Sequence, residues 1–237
     1  MKVTDYLRTA TDGFAITLDN DALRRFEIYY RLLAEWNEKI NLTAITDPQG
    51  VAVKHFADSL AFFNYITVPK DAKIIDVGTG AGFPGVVLKI ARPDIKLTLL
   101  DSLNKRFLFL RDLTEKLGLD ADFAQGRAEE YGQKDGFRES YDFAVSRAVA
   151  KLNTLSEYCL PFVRLSGSFI AFKGGDCSDE TAEAKRAVNT LGGKVRKLHS
   201  FELPFDGGSR TLIEIEKVQP TPDQYPRNNG RIKSKPL

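Results

Sequence analysis

The sequence predicts an α/β protein built on a doubly wound, mostly parallel sheet of seven strands. Three observations carry this. A short apolar run, Lys73-Ile74-Ile75-Asp76-Val77, ends in a turn rich in glycine and passes into helical spacing at Val86, Val87, Ile90 and Ala91. From there to about residue 190, β-type and helical runs alternate, as parallel strands joined by crossovers must. The last two β-type runs have only Pro204-Phe205-Asp206-Gly207-Gly208 between them, a turn-rich separator that makes them an antiparallel hairpin.

Taken in order, residues 1–68 lack βα units. Leu23, Phe26, Tyr30 and Leu33 recur at helical spacing after the cap-rich Asp19-Asn20-Asp21. A polar loop is expected over Trp36–Thr43, and Thr46-Asp47-Pro48 starts the next helix, with Pro48 at its first position. That helix carries Val51, His55, Asp58 and Ser59. The region reads as a small helical cap. Residues 69–219 form the sheet domain. After the first strand come Lys96–Asp101, a helix from Asn104 to Leu117 stopped by Gly118, a weak strand at Ala121–Ala124, and strands at Asp142–Val145 and Phe169–Lys173. A polar helix covers 179–190, and the hairpin strands fall at about 194–202 and 210–218. Residues 220–237 hold four prolines and four basic side chains, with Asp223 the only acid, and read as an extended basic arm on the surface.

Bulk properties exclude several classes. With 237 residues, 43% apolar and 28% charged, the chain is an ordinary globular domain with an appendage. Net charge is +2 and pI about 8.4, mildly basic and uninformative about partners by itself. Lys2, Thr4 and Asp5 interrupt any signal-like segment, and apolar runs stop at about four residues, too short for a bilayer, so a cytoplasmic protein is expected. Cys159 and Cys177 are too few for a disulfide framework or a four-cysteine metal site. Nothing calls for an obligate dimer, so a monomer is expected.

The glycine turn admits two frames. Gly80-Ala81-Gly82-Phe83-Pro84-Gly85 satisfies the dinucleotide spacing G-x-G-x-x-G. Asp76 through Gly82 gives acid-x-G-x-G-x-G, which suits S-adenosylmethionine, whose ammonium needs a carboxylate or carbonyl rather than the anion site a pyrophosphate needs. A plain tight turn is the least favoured, because Gly78, Gly80 and Gly82 in five residues weaken a turn that has no need of close approach. Asp101 ends the second strand, 25 positions after Asp76, where an acid accepts from ribose hydroxyls; the alternative is a helix cap. Gly126-Arg127-Ala128-Glu129-Glu130 follows the third strand, where an adenine pocket or a simple helix start fits equally. Ser146-Arg147-Ala148 follows the fourth, where Arg147 can hold a carboxylate, a phosphate or a guanine edge. No Pro-Pro-aromatic run follows that strand and neither cysteine is placed as a nucleophile, so the acceptor atom is already nucleophilic.

Together, the Asn37–Thr43 loop, His55-Phe56-Ala57-Asp58-Ser59-Leu60, Asp76 to Pro84, Ser146-Arg147-Ala148 and Tyr225-Pro226-Arg227 resemble the bacterial small-subunit rRNA guanine-N7 methyltransferase family (glucose-inhibited division protein B) from about residue 20 to the end. The resemblance implies a class I methyltransferase fold, S-adenosylmethionine as donor, and N7 of one guanine in 16S rRNA, naked or in the small ribosomal subunit, as acceptor. It implies cofactor contacts at Gly78, Phe83, Ala128, Glu129 and Arg147, beside Asp76, Gly80, Gly82 and Asp101 from the motif. Guanine N7 carries a lone pair and no proton, so the chemistry needs alignment and no general base. Asn41, His55 and Arg147 are the expected positioning residues, and Arg227, Arg231, Lys233 and Lys235 the expected phosphate contacts. Two other functions share these motifs: a nicotinamide-dependent oxidoreductase, and a non-catalytic RNA-binding factor on the same fold.

Overall fold

In the computed structural model, which describes residues 1–147 and 150–237, strands β1 (Lys73–Val77), β2 (Lys96–Asp101), β3 (Asp122–Gln125), β4 (Tyr141–Arg147), β5 (Val163–Gly174), β6 (Gly193–Leu203) and β7 (Gly208–Lys217) form one sheet in the order β3-β2-β1-β4-β5-β7-β6. The first five run parallel; β7 is antiparallel to both β5 and β6, as the turn-rich separator requires. Ala148 of the Ser146-Arg147-Ala148 motif lies outside the described residues.

Central strands are apolar on both faces, so both must be covered. Ile74, Leu97, Leu99, Val145 and Ile170 point to one face; Ile75, Val77, Leu100, Ala144 and Phe169 point to the other. The first face is covered by α1 (Val3–Ala10), α2 (Asn20–Ile40), α3 (Pro48–Val51), a π-helical turn (Ala52–Ala57), α4 (Asp58–Leu60), α5 (Phe62–Tyr65), α6 (Gly85–Ala91) and α7 (Asn104–Leu117). Leu23, Phe26 and Leu33 share one core cluster with Val86, Val87 and Leu110, so the amino-terminal helices pack as a layer on the sheet. The second face carries α8 (Ala128–Tyr131), α9 (Leu152–Cys159), α10 (Ser178–Thr190) and α11 (Asn229–Ser234). Among the described residues no helix is long and apolar enough to cross a membrane.

Three stretches differ from the sequence expectation. Trp36–Ile40 is helical rather than loop, because Leu32, Leu33, Trp36 and Ile40 continue the apolar spacing and the Trp36 indole donates to Asp112 of α7 at 2.8 Å. Asn41 then ends the helix in the left-handed region, at φ 47°. The segment before Asp19, to which the sequence reading gave no element, holds α1, seated by Val3, Leu7 and Ala10. The carboxyl-terminal segment is not an extended arm. It forms α11, buries Ile232 fully, and ties Arg227 to Glu157. Asp47 caps α3 with Pro48 at its first position, as expected.

Candidate active site

A cavity of about 940 Å³ opens at the carboxyl ends of β1, β2, β3 and β4, where the chain order reverses between β1 and its neighbours. Its floor is the β1–α6 turn. The Gly78 and Thr79 amides both donate to Leu100 O, at 2.8 and 3.1 Å, which ties the turn to β2. Gly80 sits at φ +59°, and a Cβ there would meet only Gly78 O at 3.9 Å, with the open cavity beyond. That is the geometry of a backbone cradle. Gly82 plays a different part. It is at φ +91°, does not line the cavity, and a Cβ on it would fall 2.6 Å from the Tyr29 hydroxyl and 2.9 Å from Val86. It is a packing glycine, not the cofactor contact the motif suggested.

Asp76 also turns away from the cavity. Its Oδ2 accepts from Thr79 Oγ1 at 2.7 Å and from the Gly85 amide at 2.8 Å, so it braces the turn from below. Its Oδ1 has no partner among the described residues. Full burial pushes the carboxyl up to about 6, against the pull of those two hydrogen bonds. A direct contact from Asp76 to a ligand ammonium does not fit this orientation. Asp101 does line the cavity. Its Oδ2 accepts from the Gly80 amide at 3.0 Å and Arg106 at 2.9 Å, and its Oδ1 from the Leu103 amide at 3.0 Å. The cap and ligand readings of Asp101 are therefore compatible. Ala128 and Glu129 line the same end, opposite Tyr158 of α9.

At the other end, Phe83 stacks with two rings: Tyr29 at 5.3 Å and 11°, and His55 at 4.5 Å and 23°. The Arg147 guanidinium lies 4.8 Å over the same Phe83 ring. Tyr29, fully buried, donates to Ala81 O, so the amino-terminal layer touches the glycine turn itself. Arg147 donates to Asp58 Oδ2 at 3.1 Å and to Lys54 O at 3.3 Å. Arg210, from β7, approaches Asp58 Oδ1 at 3.4 Å. Burial raises the Asp58 carboxyl above its ordinary value while the two guanidiniums pull it down. His55 Nδ1 lies 3.1 Å from Lys54 O, an acceptor, and 3.3 Å from the Arg147 guanidinium, a donor, while Nε2 pairs with Thr43 Oγ1 at 2.9 Å, so both ring nitrogens are held. Burial, followed by the Arg147 charge, lowers the His55 pKa to about 3. His55 is a neutral, oriented ring.

The structure thus brings together Gly78, Gly80, Phe83, Asp101, Ala128, Glu129, His55 and Arg147 on one cavity. Asn41 is exposed and off it; Thr43 occupies the place by His55, held by Asn37 Oδ1 accepting from its amide at 2.8 Å. Arg227 is spent on Glu157 at 2.7 Å, Arg231 and Lys235 are exposed, and Lys233 lines the cavity. Sequence reasoning missed Thr43, Lys54, Lys173, Arg210 and Tyr158. Only Asp58 had a local signal, three residues after His55 within the helix. The lining carries seven basic side chains (Lys54, Arg106, Arg127, Arg147, Lys173, Arg210, Lys233) against three acidic ones (Asp58, Asp101, Glu129), a field that attracts polyanions. The open cradle at Gly80, with a ribose-type acid beside it and a cavity roomy enough for a nucleoside, fits S-adenosylmethionine.

The chain resembles known proteins in sequence and in fold. A family model described as rRNA small subunit methyltransferase G matches residues 22–212. The protein named Ribosomal RNA small subunit methyltransferase G from Desulforamulus reducens is 49% identical over 236 residues, 99% of this chain and 98% of that one. Its namesake from a Geobacillus species is 46% identical over 235 residues, 99% of each chain. Among solved structures, a SAM dependent methyltransferase from Aquifex aeolicus superposes with a TM-score of 0.55 at 16% identity, over 75% of this chain and 97% of that one, a likeness of fold.

Proposed function

The chain belongs to the rRNA small subunit methyltransferase G family and is an S-adenosylmethionine-dependent rRNA methyltransferase; from that premise we propose that its acceptor is N7 of one guanine in 16S rRNA. The Gly78–Gly80 turn and Asp101 hold the cofactor, with Ala128 and Glu129 at its adenine. When bound, S-adenosylmethionine supplies a methyl on a sulfonium, which an in-line nucleophile takes as the carbon–sulfur bond breaks and leaves a neutral thioether. N7 brings its own lone pair and releases no proton, so the protein has only to align the two groups in a dry pocket.

The observation that carries this reading is the neutral His55 ring, stacked on Phe83 beside the cradle. A histidine whose pKa is about 3 does not serve as a base near neutrality. Asp58, with its oxygens against Arg147 and Arg210, does not serve either. What remains is a surface for placing a flat base: the His55 ring, backed by Phe83, and a guanidinium edge from Arg147. The Asp58 carboxylate offsets the Arg147 charge where the methylated base becomes cationic. Asn41 acts through the backbone, by closing α2 so that Leu42 and Thr43 reach the cavity. Guanine N7 lies on the major-groove edge, so the target base must leave its stack to reach this depth. Phosphates are met by the basic rim and by the exposed Arg231 and Lys235.

Labelled methyl transfer to small-subunit RNA, with the modified atom mapped, tests the proposal. A 7-methylguanine at one position supports it. A methyl on another atom, or on another base, overturns it.

A further inference from the structure

The carboxyl-terminal segment is sewn onto the adenosyl end of the cavity. The Arg138 guanidinium donates to Thr221 O at 2.7 Å and to Tyr225 O at 2.8 Å. Gln133 Nε2 donates to Pro226 O at 3.1 Å, and a Cβ on Gly132 would stand 3.0 Å from the Pro226 ring. These two contacts fasten the segment next to α8, which carries Ala128 and Glu129. On the other side, Arg227 Nε and NH2 fork onto the two oxygens of Glu157 at 2.8 and 2.7 Å, and the Arg227 amide donates to the same carboxylate at 2.9 Å. Glu157 is fully buried on α9. Tyr158, its neighbour, donates to Asn229 Oδ1 at 2.8 Å. The segment therefore ties α8 to α9, the two walls of the adenosyl end, and it brings its own Asn229 and Lys233 onto the cavity lining.

We propose that Asn229 and Lys233 take the adenosyl group of S-adenosylmethionine, seated there by the fork between Arg227 and Glu157. Asn229 Oδ1 is occupied by Tyr158, so its amide Nδ2 is left as a donor, and Lys233 Nζ is a donor only. Adenine ring nitrogens and ribose oxygens are acceptors. A phosphate is the other chemistry a lysine suits, and the RNA arm of the test below separates the two. On this assignment Lys233 leaves the set of RNA contacts that the basic composition of the segment suggested.

The inference rests on the cofactor reading above, and calorimetric titration of the full chain separates the two. Wild-type protein, Asn229→Ala and Lys233→Ala are titrated with S-adenosylhomocysteine and with 5′-methylthioadenosine, which lacks the amino-acid end. Each variant should weaken both ligands by the same factor, roughly three- to ten-fold, the worth of one hydrogen bond, with an unchanged unfolding midpoint for the exposed Lys233→Ala and a lower one for Asn229→Ala, which takes the acceptor from the Tyr158 hydroxyl. Arg227→Lys, which keeps the charge but not the fork, should weaken both ligands while leaving the KM for RNA unmoved. Wild-type protein that fails to bind S-adenosylhomocysteine overturns the cofactor reading. Wild-type protein that binds it, with both alanine variants binding as tightly, overturns this inference alone. A Lys233→Ala that loses RNA affinity and keeps nucleoside affinity also overturns it.

Discussion

His55 and Phe83 lie ring on ring, 4.5 Å between centroids and 23° from parallel, although one comes from the amino-terminal helical layer and the other from the glycine turn. The contact joins the two halves of the reaction. Phe83 follows the cradle for the methyl donor, and His55 belongs to the surface proposed for the acceptor. Tyr29 also stacks on Phe83 and binds the turn at Ala81 O. A shift of the amino-terminal layer therefore moves the acceptor surface and the donor turn as one piece.

Arg147→Lys should separate positioning from charge. The lysine keeps one positive charge and loses the planar fork shared among Asp58, Lys54 O and His55. Turnover with RNA should fall by about ten-fold or more, while S-adenosylhomocysteine affinity, measured separately, changes much less. Arg147→Ala should add a stability loss of roughly 1–3 kcal/mol, because Asp58 stays buried with Arg210 alone. Full turnover in Arg147→Ala would remove Arg147 from the mechanism.

His55 should make the protein acid-sensitive. Its pKa is about 3 folded against 6.5 free, so the unfolded chain binds the proton more readily. The sign follows: the contribution to stability is full above about 6.5 and is lost as pH falls toward 3. Each unit of pH in that window costs the wild type at most about 1.4 kcal/mol relative to His55→Gln, which does not titrate. Thermal unfolding of the two proteins from pH 7 to pH 4 should show the gap narrowing in favour of the variant; parallel curves would contradict the buried neutral ring.

Gly80 and Gly82 should respond oppositely to alanine. Both have positive φ, so each substitution carries about 1 kcal/mol of backbone strain. At Gly80 the new methyl projects into the cavity, so affinity for S-adenosylhomocysteine should fall with only that modest stability loss. At Gly82 it meets the Tyr29 hydroxyl at 2.6 Å in a closed core, and unfolding should come several degrees lower. Tyr29→Phe removes the clashing oxygen and should recover part of the Gly82→Ala loss in the double variant. The absence of any recovery would place the clash elsewhere.

These contrasts mark what the sequence could say. Parallel strands buried on both faces are near-continuous apolar runs, and Gly118, Pro48 and the Pro204–Gly208 turn are local punctuation, so the alternation and the hairpin were readable. The glycine motif was readable as a cradle but not by position: Gly80 and Gly82 look alike in sequence, and only the packing of Tyr29, 53 residues before Gly82, separates them. Asp76 kept its place at the strand end, yet its carboxylate points into the turn because Thr79 and Gly85 supply donors there. Arg210 joins Asp58 and Arg147 only because β7 inserts between β5 and β6. No local pattern encodes that. Basic composition at 220–237 concealed that Arg227 has a buried acid waiting for it on α9.

Salt dependence of RNA binding resolves the remaining basic residues. Deleting residues 226–237 would confound the question, since it strips Ile232 from the core and leaves Glu157 buried without its arginine. Arg231→Gln with Lys235→Gln leaves those contacts in place, because both side chains are exposed. If each meets one phosphate, the slope of log affinity against log salt should become shallower by roughly 0.7–0.9 for each. Arg106→Gln at the cavity rim serves as the comparison. It should flatten the slope by a similar step and also loosen Asp101, which accepts its hydrogen bond at 2.9 Å, so that nucleoside affinity falls with it. In the Arg231 and Lys235 pair, nucleoside affinity should hold. An unchanged slope in that pair would confine RNA contact to the rim and leave the carboxyl-terminal segment a structural and cofactor-facing element.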